Sequence, residues 1–297
     1  MRSRLIACPP CRQCSRRGQR WRARAAALLA LLLAARGAAA PPPERIVALA
    51  PSTTEIVFAL GAGERLVGTC GQCDYPEAAR RVPRIGSYLV PSVEAVLAVR
   101  PDLVIAVPTP ANREAVRALE RIGTPVLVVR DRVLADLWDA IASIGAATGE
   151  TAAARALERR LRARLAAVAA CTAGLPRPRV LMVVGHRPLI VVGGDTLQDE
   201  LIAIAGGENV GADIGAAFPQ TSLEIVAARA PDVIVDAAMG SEAKGTAVFS
   251  AYTQIPAVRT GRVVPMDADE LLRTGPRVAE AARRLAAVIH PGADACR

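Results

Sequence analysis

Two cysteines close together carry the clearest chemical potential in this chain. Cys70 and Cys73 form a C-x-x-C motif, a spacing that serves thiol-disulfide exchange when a helix N-terminus lowers the pKa of the first thiol. Here the motif follows a strand-like run, which favours a structural disulfide or two buried thiols over redox catalysis. Zinc would require two further ligands, and the only histidines, His186 and His290, stand at no useful spacing. We therefore expect no metal site, and keep an exported thiol-disulfide oxidoreductase as an alternative.

Two glutamates occupy matching positions in an internal repeat. SVEAVLAVRPDLVI begins at Ser92 and SLEIVAARAPDVIV begins at Ser222, 130 residues later. Each copy predicts a Ser at a helix N-cap, a Glu in the first turn and Pro-Asp at the turn into a strand. A capping box needs Glu at the third helical position, which neither Glu94 nor Glu224 occupies. Capping alone therefore does not explain both copies, and we predict a functional role for the two carboxylates.

The elements around these residues are those of an α/β protein. Short β-branched runs alternate with helical stretches, the pattern of βα units on parallel sheets. RIVALA at 45–50 is the first predicted strand; a capping box should follow, in which Ser52 caps the helix and Glu55 reaches back, and the helix should stop at Gly61. Further strands are predicted at 66–69, 103–107, 126–129, 180–184, 189–192, 233–235 and 263–264, and helices at 93–99, 112–122, 197–205 and 276–289.

A helical segment divides the chain into two lobes. No strand signal occurs between 134 and 170, and 150–170 is rich in Ala, Leu and Arg with apolar residues at helical spacing. The predicted organisation is a signal peptide at 1–40, an N-terminal α/β lobe at 44–132, a helical linker at 133–175 and a C-terminal α/β lobe at 176–297. The fold class is two lobes with parallel sheets flanked by helices, joined by one long linker helix.

The basic charge belongs to the first 40 residues. Nine of the 37 basic residues lie there without an acidic one, which leaves 28 basic against 28 acidic residues in the remainder. This balance argues against nucleic-acid binding. The segment has an Arg-rich start, an apolar run at 25–35 and a small-residue site at Ala38–Ala40, as in a cleaved secretory signal. Arg16-Arg17 leaves Sec and twin-arginine export both open, and the expected location is periplasmic.

Export bears on the cysteines, because disulfides persist outside the cytoplasm. Cleavage would leave Cys70, Cys73, Cys171 and Cys296. Four thiols allow three complete pairings, and the sequence does not choose among them.

Motifs for catalysis are sparse. The chain has no G-x-G-x-x-G, P-loop or G-x-S-x-G segment, so we expect no catalytic residue and no cofactor. Two α/β lobes are suited to holding a ligand between them, outside the carboxyl ends of the strands. Tyr75, Tyr88 and Phe218 follow predicted strand ends and could lay ring faces on a flat ligand. Axial ligation of a haem iron by Tyr88 or His186 is a further possibility.

Several stretches together resemble one protein family. IVALAPSTTEIVFALGAGERLVG, CDYPEAA, IGSYLVPSVEAVLAVRPDLVIA, GGDTLQDELIAIAGGENV, FPQTSLEIVAARAPDVIV and DADELLRTGPRVAEAARRL span Arg45 to about Ile289. They resemble the periplasmic substrate-binding proteins of ABC importers whose two lobes are joined by a rigid helix, and most closely the cobalamin-binding ones. The resemblance implies a monomeric receptor that captures a corrinoid between its lobes and delivers it to a membrane permease, with haem or an iron siderophore as the alternative cargo.

The resemblance also implies roles for individual residues. Permease docking falls to Glu94 and Glu224, whose carboxylates would meet arginines of the permease. The family's usual aromatic at position 72 and its Trp at 88, 218 and 270 are replaced here, which reduces the area for stacking on a corrin ring. The ligand contacts carry over to Gln72, Tyr88, Phe218, Asp269, Glu270, Leu271, Leu272 and Arg273.

Overall fold

The first lobe is built on a parallel sheet. The computed structural model describes residues 41–239 and 245–292. Strands β1 (Ile46–Ala48), β2 (Leu66–Thr69), β3 (Leu103–Ala106) and β4 (Val126–Val128) form a sheet of order β2-β1-β3-β4, with every pair parallel. The connections contain helices α1 (Pro51–Ala59), α2 (Val93–Ala98) and α3 (Arg113–Ile122). These elements confirm the predicted alternation of strands and helices.

A linker of two helices follows. Helix α4 covers Leu134–Thr148 and helix α5 covers Thr151–Thr172. The 22 residues of α5 span about 33 Å at 1.5 Å per residue. Its buried side chains include Leu157, Leu161 and Leu165, four residues apart on one face, which explains why its periodicity is readable from the sequence.

The second lobe contains a mixed sheet. Strands β5 (Arg179–His186), β6 (Leu189–Val191), β8 (Val233–Asp236) and β9 (Val263–Pro265) have the order β6-β5-β8-β9, while the short β7 (Glu208–Asn209) pairs with β5. Only the β5–β6 pair is antiparallel, because the two residues between these strands are too few for a parallel crossover. The helices are α6 (Leu197–Ile204), α7 (Leu223–Arg229), α8 (Gly245–Phe249), α9 (Pro256–Arg259), α10 (Ala268–Leu272) and α11 (Val278–Ile289).

One apolar core joins both lobes through the linker. It contains Ile46 of the first sheet, Leu161 of α5, Met182 of the second sheet and Leu285 of α11, none more than 2% exposed. Since separating the lobes would expose this continuous core to water, the arrangement resists large interlobe opening. The predicted two-lobe fold class is confirmed.

The predicted capping box at the start of α1 is wrong. The N-cap is Ala50, Pro51 occupies the first helical turn, and no side chain caps the helix. Proline is favoured at this position because its missing N–H has no helical partner to lose. The helix therefore begins before Ser52, and Glu55 is free to pair with residues of the second lobe.

The helix starts of the internal repeat are as predicted. Ser92 Oγ accepts from the N–H of Ala95 at 3.1 Å, and Ser222 Oγ accepts from the N–H of Ile225 at 3.4 Å. Glu94 and Glu224 follow in the first turns of α2 and α7, and both side chains are exposed. The repeat thus places two carboxylates in equivalent local geometry, one on each lobe.

The Pro-Asp halves of the repeat are also equivalent. Asp102 Oδ2 accepts from the N–H of Arg45 at 3.0 Å, and Asp232 Oδ2 accepts from the N–H of Arg179 at 2.9 Å. Each of these arginines also reaches the C-terminal end of the repeat's helix, where Arg45 Nη2 donates to the carbonyl of Val99 and Arg179 Nη2 to that of Arg229, both at 2.8 Å. The same pair of contacts, from the arginine N–H to an aspartate and from its guanidinium to a helix C-terminal carbonyl, therefore lies at the start of β1 and of β5.

Candidate functional site

Three of the predicted ligand residues meet at the carboxyl end of the first sheet. Gln72 lies in the turn after β2, and its Oε1 accepts from the N–H of Tyr88 at 3.0 Å. The carbonyl of Gln72 accepts from Nη2 of Arg273, 201 residues away, at 3.2 Å. Gln72, Tyr88 and Arg273 therefore form one hydrogen-bonded group that spans both lobes.

Arg273 is the centre of an ionic cluster between the lobes. Its guanidinium contacts Asp74 at 2.7 Å, Asp269 at 2.8 Å and Glu55 at 3.6 Å. Burial raises the pKa of Asp74, but hydrogen bonding and attraction to Arg273 outweigh this, so the net pKa lies below its usual value. Asp74 remains an anion that holds Arg273 in place.

A second arginine completes this interlobe contact. Arg277 bonds Glu55 through both carboxylate oxygens, with Nε–Oε2 3.0 Å and Nη2–Oε1 2.8 Å, while Glu55 is 3% exposed. Its guanidinium also lies 4.4 Å above the ring of Tyr75, a cation–π geometry. Sequence reasoning missed the pairing of Glu55 with Arg277, since the partners are 222 residues apart and neither has a local signal.

The predicted segment 269–273 does not present all its side chains to the same side. Asp269 and Arg273 lie with Gln72 and Asp74, whereas Leu271 is fully buried and Leu272 is partly buried. Glu270, 6% exposed, pairs with Arg284 at 3.0 Å. Successive residues of a helical turn are rotated by about 100°, so α10 turns Glu270 and Leu271 away from Gln72.

Tyr88 lies in an acidic, half-buried environment. Its pKa is raised to about 12, first by burial and then by the nearby charge of Asp131. Burial and Asp136 together raise the pKa of Asp131 to about 6. Thr274 Oγ1 of the second lobe donates to the carbonyl of Asp131. The phenol of Tyr88 is thus held neutral, beside a carboxyl at the lobe boundary.

Phe218 belongs to the second lobe and is half exposed, at 49%. Hydrogen bonds from the N–H groups of Gly193 and Val191 to the carbonyls of Ala217 and Pro219 hold its backbone on both sides. Its ring is available for contact with a ligand.

His186 is withdrawn from solvent. Its Nε2 lies 2.9 Å from Asp236 Oδ1, and the two side chains are 3% and 9% exposed. The residues join the ends of the neighbouring strands β5 and β8. This buried pair braces the second sheet, and the ring nitrogen that faces Asp236 is already engaged.

The C-x-x-C cysteines form a buried disulfide. Cys70 and Cys73 are bonded to each other and are 1% and 0% exposed. Cys171 is also in a disulfide, and Cys296 lies outside the described residues. Thiol-disulfide exchange requires attack on an accessible sulfur, so the burial of both sulfurs disfavours the oxidoreductase alternative.

Metal sites and membrane spans can also be assessed in the described part of the chain. In residues 41–239 and 245–292 no group of three or more His, Cys, Asp or Glu side chains has the geometry of a metal site. No helix in the same ranges has the length and apolarity that a membrane span requires. The predicted signal peptide at 1–40 lies outside the described residues.

The chain forms two lobes on a helical linker, and polar and aromatic groups lie at the strand ends between the lobes. This arrangement is typical of a ligand-binding protein. Comparison with known families specifies the class. Residues 46–270 match the periplasmic binding protein family, and the chain belongs to it. Members of this family bind a solute and deliver it to an ABC permease.

The names of similar proteins indicate two kinds of ligand, vitamin B12 and haem. A vitamin B12-binding protein of Vibrio vulnificus is 30% identical over 79% of this chain and 85% of its own length. A solved vitamin B12-binding protein of Vibrio cholerae is 27% identical, covering 84% of this chain and 98% of the other, with a TM-score of 0.76. The apo form of a periplasmic haem-binding protein from Roseiflexus sp. RS-1 is 31% identical, covering 86% and 99%, also with a TM-score of 0.76.

Proposed function

We propose that this protein captures a corrinoid, cobalamin or a close relative, between its lobes and delivers it to an ABC permease without altering it chemically. Support comes from the relatives named for vitamin B12 and from the group of Gln72, Tyr88 and Arg273 at the lobe boundary. The protein acts in the periplasm as a monomer. Haem or an iron siderophore is the competing cargo, because haem-binding proteins are equally similar to this chain.

The surroundings of the two predicted axial ligands, Tyr88 and His186, favour a corrinoid over haem. A tyrosine that ligates haem iron binds as the phenolate. Burial and the nearby charge of Asp131 raise the pKa of Tyr88, so its surroundings oppose the phenolate rather than stabilise it. His186 offers no easy substitute, because its side chain is buried and its Nε2 faces Asp236. Neither predicted axial ligand is ready to bind iron.

The charge near the cleft supports the same choice. Asp74 and Asp269 flank the single guanidinium of Arg273, and Asp131 lies close to Tyr88. The edge of a corrin ring carries neutral carboxamides that can donate to these carboxylates and accept from Arg273. Polar contacts would thus compensate for the stacking area lost at positions 72, 88, 218 and 270.

Substitution of Tyr88 separates the two cargoes. We expect Tyr88→Phe to change the Kd for cyanocobalamin by less than about threefold, since the ring face remains and only the hydroxyl is lost. Tyr75→Phe is the matched control, because Tyr75 is half exposed beneath Arg277. A haem complex of the wild-type protein whose Soret band is lost in Tyr88→Phe and kept in Tyr75→Phe would reassign the cargo to haem.

The repeated glutamates are proposed to dock the permease. Their carboxylates are exposed, and hydrogen bonds from Ser222 and the backbone lower the pKa of Glu224, so it stays charged. Charge-assisted pairs with permease arginines would give orientation as well as attraction. One such carboxylate on each lobe suits a partner that contacts both lobes.

Transport measurements test the docking role. Glu94→Ala with Glu224→Ala should leave ligand affinity unchanged and abolish uptake into vesicles that contain the cognate permease. Glu114→Ala is the matched control, because Glu114 is also an exposed acid in the first turn of a helix, α3. Unchanged uptake by the double variant would refute the assignment.

A further inference from the structure

The turn that carries Gln72 is closed by a covalent bond. The disulfide between Cys70 and Cys73 encloses Gly71 and Gln72, and the N–H of Cys73 donates to the carbonyl of Cys70 at 3.0 Å. Both half-cystines are buried, whereas Gln72 between them is exposed. The cross-link therefore lies beneath the residue that the turn presents at the lobe boundary.

The base of the same turn is held by Arg84. Its Nη1 donates to the carbonyls of Cys70 and Cys73 at 2.8 and 2.6 Å and to Thr69 Oγ1 at 3.0 Å. The N–H of Gly71 donates to the carbonyl of Gly86 at 2.8 Å. These bonds fix the ends of the turn, and the disulfide fixes the distance between them.

The exposed side of the turn contacts two other parts of the site. The side-chain oxygen of Gln72 accepts from the N–H of Tyr88, and its carbonyl accepts from Arg273 of the second lobe. Asp74, the residue after Cys73, bonds the same guanidinium at 2.7 Å. Displacement of this turn would move the Tyr88 loop and Arg273 together.

We propose that the Cys70–Cys73 disulfide is a positioning element of the cleft, which holds Gln72 so that Tyr88 and Arg273 keep their binding geometry. The proposal rests on the proposed function, because it assumes that the cleft holds the cargo. Glycine has more backbone freedom than any other residue type, and the cross-link removes much of this freedom at Gly71. Because the turn is already ordered in the free protein, binding loses less conformational entropy, and this strengthens affinity.

Replacement of both cysteines tests the proposal on protein isolated after export. In the Cys70→Ser, Cys73→Ser variant we expect the dissociation rate of cyanocobalamin to rise about five- to tenfold, with the association rate changed less than about twofold. Amide hydrogen exchange at Tyr88 should accelerate at least about tenfold, because its acceptor is no longer fixed, while exchange in β1 stays unchanged. A purely structural bond would accelerate exchange throughout the first lobe.

A double-mutant cycle identifies the route of the effect. If the disulfide acts through Gln72, adding Gln72→Ala to the cysteine substitutions should raise the dissociation rate by less than the product of the two separate increases. Full additivity would mean that the disulfide acts elsewhere.

A redox comparison covers the case in which the serine variant fails to fold. In Cys171→Ser, Cys296→Ser protein isolated after export, Cys70 and Cys73 are the only remaining cysteines once the leader is removed. Because the disulfide is buried, the reduced form is prepared with dithiothreitol in denaturant and refolded, and thiol titration verifies two free thiols. The oxidised and reduced forms should then differ as the wild type and the serine variant do. Equal cobalamin dissociation and equal Tyr88 exchange in both forms would overturn the proposal. Should the wild-type protein bind no cobalamin, Tyr88 exchange alone still decides the positioning role.

Discussion

The ion pair between Glu55 and Arg277 should carry a large share of the stability of the interlobe contact. Glu55 is 3% exposed and accepts both of its close bonds from Arg277, while Arg273 is 3.6 Å away. In Arg277→Gln the carboxylate would stay buried with only the more distant partner. Leaving a buried charge without its close partner costs about 3–5 kcal/mol, to which loss of the contact with Tyr75 adds about 0.5–1 kcal/mol.

Chemical denaturation followed by circular dichroism measures this effect. The free energy of unfolding of Arg277→Gln should fall by about 3.5–6 kcal/mol, equivalent to a decrease in Tm of roughly 7–24 °C at about 2–4 °C per kcal/mol. Arg117→Gln is the control, because Arg117 and its partner Glu114 are 60% and 78% exposed, and an exposed pair contributes at most about 1 kcal/mol.

The paired substitution distinguishes a charge effect from a packing effect. Glu55→Gln with Arg277→Gln leaves no buried charge, so its cost should be smaller than the sum of the single costs. A loss below about 1 kcal/mol in Arg277→Gln, comparable with Arg117→Gln, would refute the reasoning that the lobes are joined by a buried ion pair.

Two further predictions concern a buried acid and a glycine. The pKa of Asp131 is about 6 in the folded protein against an ordinary value of 3.8. Between these pH values the folded state therefore binds more protons than the unfolded state. The contribution of Asp131 to the free energy of unfolding falls as pH rises from about 4 to 6 and then stays constant. Asp131→Asn should therefore be more stable than wild type at pH 7.5, by at most about 3 kcal/mol, and equal to it near pH 4; a pH-independent difference in thermal melts would contradict this. Gly193→Ala should prevent stable folding, because its Cβ would lie 1.8 Å from the carbonyl oxygen of Ala216, whereas Gly71→Ala, whose Cβ would lie 3.6 Å from its nearest neighbour, should retain the native fold by circular dichroism.

Elements with a strong local signal could be predicted from the sequence. Strands β1 and β3 are short runs of Ile, Val, Leu and Ala, fully buried in the first sheet, and α5 repeats leucine every four residues. Ser92 and Ser222 were identifiable as caps because serine accepts the orphan N–H groups of a helix start. The fold class and the local geometry around Glu94 and Glu224 follow from signals of this kind.

Features that depend on distant partners could not be predicted. No residue near Glu55 in the sequence indicates its pairing with Arg277. The predicted capping box at Ser52 is wrong because Pro51 occupies the first helical turn. The direction of each side chain in α10 depends on where that short helix begins, so a resemblance over 269–273 does not by itself separate the buried Leu271 from Asp269, which bonds Arg273. Strand β6 lies within the predicted 189–192, but its antiparallel direction is set by the two-residue connection to β5 rather than by composition.

Calorimetric titration with cyanocobalamin, with haem as the competing ligand, tests the central claim most directly. The account predicts one-to-one binding of cyanocobalamin at neutral pH and no haem complex whose spectrum depends on Tyr88. Absence of cobalamin heat together with tight haem binding that is lost in Tyr88→Phe would contradict it.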